Sequence, residues 1–370
     1  MQMQKLNQVI QMFAVDGSVL SAEEYGTGHI NRTHLIEMDQ CGQRKRYILQ
    51  QINTEVFKDV DKLMENIIGV TGYLSKKLTE QGGDPDRETL RVIPTRNAGS
   101  YYRDGEKCYR MYPFIEDAVS YDAVKRPEDF YESAKAFGRF QSLLLAYPAH
   151  TLHETIPDFH NTKKRFAAFC AAVEADLCGR AASVQPEIAF VMEREPEMSV
   201  LTDLLKQKKL PLRVTHNDTK LNNVLLDRQT GAGLCVIDLD TVMPGLSVHD
   251  FGDAVRFGAN TAAEDEQDIG KVSLDLSLYE TYVSGYLDGC RGSLTKKELE
   301  MLPMGAKLMT MECGMRFLTD YLSGDTYFRI HRKQHNLDRC RTQFALTADM
   351  EHKWTQMQEI VQKQAKKDMR

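Results

Sequence analysis

The sequence predicts a two-lobed α+β fold: a small antiparallel β-sheet with one main helix, followed by a larger, mostly helical body. Three observations carry this expectation. Up to about residue 115 the chain is cut into short β-rich runs bounded by Gly, Asp or Asn. From about Pro127 onward, apolar residues recur at helical spacing. Within that helical part, Leu212 to Val242 returns to short β-rich runs around a loop crowded with His, Asp, Lys and Asn, the usual mounting for a site.

In chain order, residues 34–36, 46–50, 89–93 and 107–111 read as strands, and Asp104-Gly105 marks a hairpin turn before the last of them. One helix interrupts the set over residues 60–78, with Leu63, Ile67, Val70 and Leu74 on one stripe. Residues 82–86 are a surface loop, and strand signals give way to helices near Tyr112-Pro113-Phe114-Ile115. Residues 129–147 then carry Phe130, Phe137, Phe140 and Leu144 at helical spacing, and 162–178 and 296–322 read similarly. A terminal helix places Met350, Trp354, Met357 and Val361 on one face. Within the polar segment, 212–215, 224–227 and 234–237 are short strands.

Composition narrows the function classes. A chain of 370 residues, 42% hydrophobic and 27% charged, is neither disordered nor fibrous. A net charge of −6 without a basic stripe argues against a nucleic-acid partner. The short cationic clusters at 163–165, 206–209 and 366–367 read as solvated helix faces and ends. Eight scattered cysteines without a C-x-x-C pair remove the common zinc and thioredoxin spacings and point to reduced, packed thiols. No signal peptide and no apolar run of membrane length is visible, so a cytoplasmic protein with no membrane partner is expected. Oligomeric state is not legible, a monomer being the default.

The chemistry is concentrated in Thr215-His216-Asn217-Asp218-Thr219-Lys220-Leu221-Asn222-Asn223, which spells H-x-D-x-K-x-x-N. Phosphoryl transfer needs a carboxylate facing the acceptor hydroxyl, oxygen ligands for Mg²⁺ and a cation for the transferring phosphate. Asp218 supplies the first, Asn223 a metal ligand, and Lys220 the cation. Twenty residues beyond Asp218, an apolar strand ends in Asp238, the natural second metal ligand. The letters Asp250-Phe251-Gly252 match the metal-holding D-F-G of protein kinases but lie 32 residues after Asp218, where Asp238 already fills the role. Asp250 is therefore expected to brace the loop or to cap the start of a following helix.

With these residues in place, the chain resembles the aminoglycoside phosphotransferase and choline kinase superfamily, which shares the protein-kinase-like fold. The motif residues are His216, Asp218 and Asn223; Ile237, Asp238 and Asp240; and Asp250. Finer features resemble the N-acetylhexosamine 1-kinases: residues 25–31, residues 236–245, and His249 to Arg256. The resemblance implies a nucleotide-binding lobe over residues 1–112, a hinge over 113–117 and a catalytic, acceptor-binding helical lobe over 118–370. It implies ATP as co-substrate, Mg²⁺ as cofactor and a small sugar as acceptor. Gly26 and Gly28 would then lie over the phosphates, Gln50 would face the nucleotide, and Met111, Pro113 and Ile115 would meet adenine. His29, Asn31, Arg316 and Tyr327 would line the sugar pocket beside Asp218, while His216 braces the catalytic loop.

One departure stands out. Kinases place a Lys on the third strand of the small lobe to pair with the α- and β-phosphates. Here the strand carries Gln50 and Gln51, and which of them faces the nucleotide depends on register. The leading expectation is a kinase acting on the anomeric hydroxyl of N-acetylglucosamine or N-acetylgalactosamine. Two alternatives are an amino alcohol, aminoglycoside or amino-acid hydroxyl as acceptor, and a nucleotide-binding pseudokinase scaffold, whose support is the missing Lys.

Overall fold

The computed structural model describes residues 2–26 and 30–368. Its first part comprises α1 (Gln2–Ile10), β1 (Ser18–Glu24), β2 (Arg32–Gln40), β3 (Gln43–Ile52), α2 (Val60–Glu80), α3 (Pro85–Glu88), β4 (Tyr102–Asp104) and β5 (Lys107–Pro113). The five strands form one antiparallel sheet in the order β1-β2-β3-β5-β4. Period-two alternation gives the sheet two different faces. Ile36, Met38, Leu49, Tyr109 and Met111 form an apolar face under α1, sealed by Val9, Ile10 and Phe13. On the other face, Ile52 and Cys108 join the cluster around α2, and Gln50 lies opposite Thr33 on one side and Arg110 on the other.

Two sequence expectations change here. Residues 89–93 form no strand: Ile93 makes a single bridge to Met111 and Thr95 one to Phe13, because Pro94, with no N–H to give, sits between them. The loop at 82–86 leads into the one-turn α3, whose cap is the Asp84 carboxylate. The predicted helix over 60–78 is α2, with Leu63, Ile67, Val70 and Leu74 buried.

The remainder begins with β6 (Ala118–Val119), α4 (Pro127–Leu143), α5 (Thr162–Ala175), α6 (Gln185–Met192) and α7 (Val200–Lys206). Next come β7 (Arg213–Thr215), β8 (Val224–Asp227), β9 (Gly233–Val236) and β10 (Met243–Gly245). The chain ends with α8 (Ser247–Gly258), α9 (Leu276–Cys290), α10 (Lys296–Leu322), α11 (His335–His352) and α12 (Trp354–Asp368). β7 pairs with β10, while β6, β8 and β9 make a second small sheet. α4 and α9 cross so closely that a Cβ at Gly138 would lie 2.2 Å from the Tyr286 carbonyl oxygen. α10 starts with a Thr295–Glu298 capping box and runs through the core between α8, α11 and α5. The expected terminal helix is two, broken at Lys353, yet Met350, Met357 and Val361 still share the core.

A hydrophobic cluster welds the two parts together: α2 residues pack with Phe140, Leu144, Val214, Leu239 and Val242. Asn66 of α2 adds direction, donating to the carbonyls of His153 (2.8 Å) and Val242 (3.0 Å). None of the eight cysteines forms a disulfide, and Cys108, Cys235, Cys290 and Cys340 are buried. No helix among the described residues is long and apolar enough to cross a membrane.

Candidate active site

The loop joining β7 to β8 carries the H-x-D-x-K-x-x-N residues, and buried groups hold it from below. Asp250 accepts the backbone N–H of His216 (2.9 Å) and of Asn217 (2.8 Å), and Gln141 Nε2 also donates to it at 2.9 Å. The expected helix cap is not its role, since α8 starts at Ser247 and Asp250 lies inside the first turn, leaving its carboxylate to the loop. One turn later Asp253 accepts the Thr219 N–H at 3.0 Å. His216 is buried; its Nε2 lies 2.8 Å from the Ile237 carbonyl, so Nε2 carries the proton and Nδ1 accepts the Asp218 N–H at 3.3 Å.

These supports lift Asp218 into the cleft. Lys220 Nζ lies 2.8 Å from one carboxylate oxygen, and Asn223 Nδ2 donates to the other at 3.0 Å and to the Asp218 carbonyl at 2.8 Å. The Asp218 carboxylate raises the Lys220 pKa, so this ammonium stays charged. Asp238, just beyond β9, takes the left-handed conformation at φ 59°. Burial, then the Asp240 and Asp218 carboxylates, push its pKa up to about 6. Asp240 in turn is buried, ion-paired with Arg110 and bonded by Asn31 Nδ2 at 2.5 Å.

The donors suit Mg²⁺. Asn223 spends its amide nitrogen on Asp218, leaving Oδ1 open, and both Asp238 oxygens are without partners among the described residues. Hard oxygen atoms in small number are what Mg²⁺ accepts when phosphate and water complete its shell. No group of three or more His, Cys, Asp or Glu among the described residues is arranged to hold a metal ion.

On the sheet side, Gln50 faces the cleft and Gln51 does not. Gln50 Oε1 accepts Arg110 Nε (3.0 Å) and Nη2 (2.8 Å), and its Nε2 donates to Thr33 Oγ1 at 3.1 Å. Gln51 turns toward Tyr109 on the α1 face. Gly26, at φ 83°, lies in the β1–β2 connection with open space around it. Gly28 and His29 lie outside the described residues. Asn31 is tied up rather than open to a substrate: besides donating to Asp240, its Oδ1 accepts the Asn53 N–H at 3.0 Å. Met111 also departs from expectation: β-alternation turns its side chain into the core under α1, and its carbonyl accepts the Ile93 N–H. Pro113 ends β5, and at Ile115 the backbone N–H and C=O have no partner among the described residues.

The far wall is built on α10. Arg316 lies over Phe159 (5.4 Å), Phe328 (5.5 Å) and Tyr327 (5.9 Å), with no carboxylate in ion-pair contact among the described residues. Asp320, one turn on, accepts three consecutive backbone N–H groups, from Thr326, Tyr327 and Phe328, which fixes the loop that presents Tyr327. One turn earlier, buried Glu312 accepts Thr162 Oγ1 at 2.6 Å and meets His160 Nδ1 at 2.9 Å, and these bonds hold its pKa down at about 2 against burial. His160 Nε2 lies 3.4 Å from the Asn217 carbonyl, so the wall abuts the catalytic loop.

Arg110, Phe159, His160 and Glu312 escape the sequence reading. For Arg110 a signal exists: it shares a face with Cys108 and Tyr112 inside an apolar strand, where a charge needs a buried partner. Nothing in the irregular stretch around Phe159 and His160 distinguishes it from a surface loop.

The sequence pattern described as the phosphotransferase enzyme family (APH) matches residues 21–285. Among solved structures, a microcompartment-associated aminopropanol kinase superposes with a TM-score of 0.62 at 17% identity, covering 96% of this chain and 98% of the other. Choline kinase from Cryptosporidium parvum Iowa II gives 0.58 at 13% identity, covering 97% of each chain. A spectinomycin phosphotransferase, solved with ADP and its antibiotic, gives 0.56 at 14% identity, covering 94% and 98%. At such identities the likeness speaks for the fold alone.

Proposed function

The chain belongs to the phosphotransferase enzyme family, and from that premise we propose that it is an ATP- and Mg²⁺-dependent kinase of N-acetylhexosamines, acting on the anomeric hydroxyl of N-acetylglucosamine or N-acetylgalactosamine. Adenine lies against the 113–117 hinge between a nucleotide-binding lobe (1–112) and a catalytic lobe (118–370), where the free Ile115 backbone groups offer a donor and an acceptor. Asp218 takes the proton of the acceptor hydroxyl as that oxygen bonds to the γ-phosphorus. The bond from phosphorus to the β,γ-bridging oxygen breaks, and ADP leaves. An anomeric hydroxyl is more acidic than an ordinary alcohol, so a carboxylate base suffices. Lys220, kept protonated beside Asp218, offsets charge near the transferring group. Mg²⁺, when bound by Asn223 and Asp238, neutralises the phosphate oxygens.

The observation that carries the choice of acceptor is Arg316. Three aromatic rings alone would suit a cationic acceptor such as choline. A guanidinium already seated on those rings, with no carboxylate in ion-pair contact and Glu312 spent on His160 and Thr162, disfavours a second cation and offers donors to a carbonyl and to hydroxyls. An N-acetylated neutral sugar presents both. The test is ATP consumption over a panel of N-acetylglucosamine, N-acetylgalactosamine, choline, ethanolamine, 1-amino-2-propanol and spectinomycin, with ³¹P NMR of the product. The reading requires a sugar 1-phosphate; turnover of the amines with no sugar product overturns the acceptor, and tight ATP binding without any turnover favours a scaffold.

A further inference from the structure

In protein kinases a third-strand Lys is paired with a Glu on the neighbouring helix, tying the small lobe to the site. Both members are changed here. Position 50 is Gln, and the buried polar side chain by which α2 reaches the helical body is Asn66, bonded to backbone groups of His153 and Val242, while the α2 glutamate Glu65 pairs with the His153 ring at the surface and not with the sheet. The buried cation on this face of the sheet belongs to the next strand over: Arg110 of β5 lies directly opposite Gln50 and is hydrogen-bonded to it through two nitrogens.

We propose that Arg110 is the positioning residue that replaces the missing lysine–glutamate tie: acting through Asp240, it fixes the D-x-D turn, and hence Asp238, against the nucleotide-side sheet. Its guanidinium is only 1% exposed, so it works through Asp240 and not by touching phosphate. The turn needs holding, because Asp238 adopts a left-handed conformation that residues with a Cβ take reluctantly. Three anchors follow Asp238 in succession. Leu239 is buried beside α2, Asp240 is gripped by Arg110 and Asn31, and Thr241 Oγ1 donates to the His216 carbonyl at 2.6 Å. Among these, the sheet reaches the turn's polar groups through Asp240. Charge pairing agrees: Asp218 is in contact with Lys220 and Asp240 with Arg110, whereas Asp238 makes no ion-pair contact among the described residues and feels Arg110 only at longer range, which leaves its oxygens for an incoming cation. The inference rests on nucleotide-dependent phosphoryl transfer and is independent of which acceptor is used.

The test titrates MgCl₂ into protein with fluorescent MANT-ADP, alongside turnover with the best acceptor of the panel and a thermal melt of each variant. Arg110→Met is expected to raise the Mg²⁺ midpoint for MANT-ADP binding by about tenfold or more and to lower kcat similarly, the usual scale for a residue that orients a metal ligand. Arg110→Lys, which keeps charge but not the fork, falls between that variant and the wild type. The double variant R110M/D240N is no worse than the poorer single variant, because both changes break one linkage. A wild-type Mg²⁺ midpoint in Arg110→Met, or losses that multiply in the double variant, overturns the proposal. Should Arg110→Met not fold, Asn31→Ala decides: it removes the second hold on Asp240 yet leaves the buried charges paired. A several-fold rise in its Mg²⁺ midpoint supports the proposal, and an unchanged midpoint overturns it. Failure of the phosphotransferase reading itself looks different, as wild-type protein that binds no MANT-ADP.

Discussion

Two irregular loops frame the candidate site, and each hangs from one buried aspartate. Asp250 takes two consecutive N–H groups of the loop bearing Asp218, and Asp320 takes three of the loop bearing Tyr327. They differ in what they leave free. Around Asp250 the side chains close on one another, Asp218 with Lys220 and Asn223, and His216 with the Ile237 carbonyl. Around Asp320 the backbone is as firmly held, yet Tyr327 is 64% exposed and Arg316 has rings beneath it but no ion-pair contact among the described residues. The chemistry is built into a closed network, whereas selectivity is left to side chains waiting for a partner.

The sharpest way to break this contrast is Asp250→Ala. It strands two buried N–H groups and takes one of the Gln141 amide's two acceptors, so stability should fall by roughly 3 kcal/mol in urea unfolding. Turnover should fall about 100-fold or more with every acceptor, as displacement of a catalytic loop does. Arg316→Met should instead spare kcat and raise the KM for the sugar about tenfold, the worth of a hydrogen bond from a charged donor. Equal losses of kcat would place Arg316 in the chemistry instead. Asp320→Ala should be milder than Asp250→Ala, raising acceptor KM about threefold, because Thr326 and Tyr327 are exposed residues whose freed N–H groups can turn to water and the buried Asn336 amide keeps Asp325 as an acceptor. The pH dependence leaves turnover aside and reads only stability. Burial holds the His249 imidazole neutral with its pKa lowered to about 3, so between pH 6.5 and 3 the unfolded chain binds the extra proton. Stability should therefore drop as pH falls through that window, by about 1.4 kcal/mol per pH unit from this residue, and His249→Gln should remove that slope in urea titrations at successive pH values.

The same contrast explains how much was legible in the sequence. The catalytic loop is local, with His216, Asp218, Lys220 and Asn223 within eight residues and Asp238 ending the next strand but one, so spacing alone finds it. Periodicity likewise finds α2, α4 and α10. What escapes is assembled across long sequence separations. Gln50 meets Arg110 and Arg110 meets Asp240 only once strand register and lobe packing are set. Asn31 looks like a pocket residue until Asp240 is placed beside it, and Met111 looks like a hinge contact until alternation points it under α1. The Phe159–Arg316 and His160–Glu312 contacts join an unpatterned loop to the middle of a long helix, and no local signal announces them.

The central claim is that Asp218 is the base of a phosphoryl transfer, and Asp218→Asn tests it directly. The substitution preserves shape and leaves the loop's tethers to Asp250 and Asp253 in place. MANT-ADP binding and the melting temperature should stay near wild type while ATP-dependent formation of sugar 1-phosphate drops by about 10²- to 10⁴-fold, the range for loss of a general base. Formation of the product at a near wild-type rate would contradict the account.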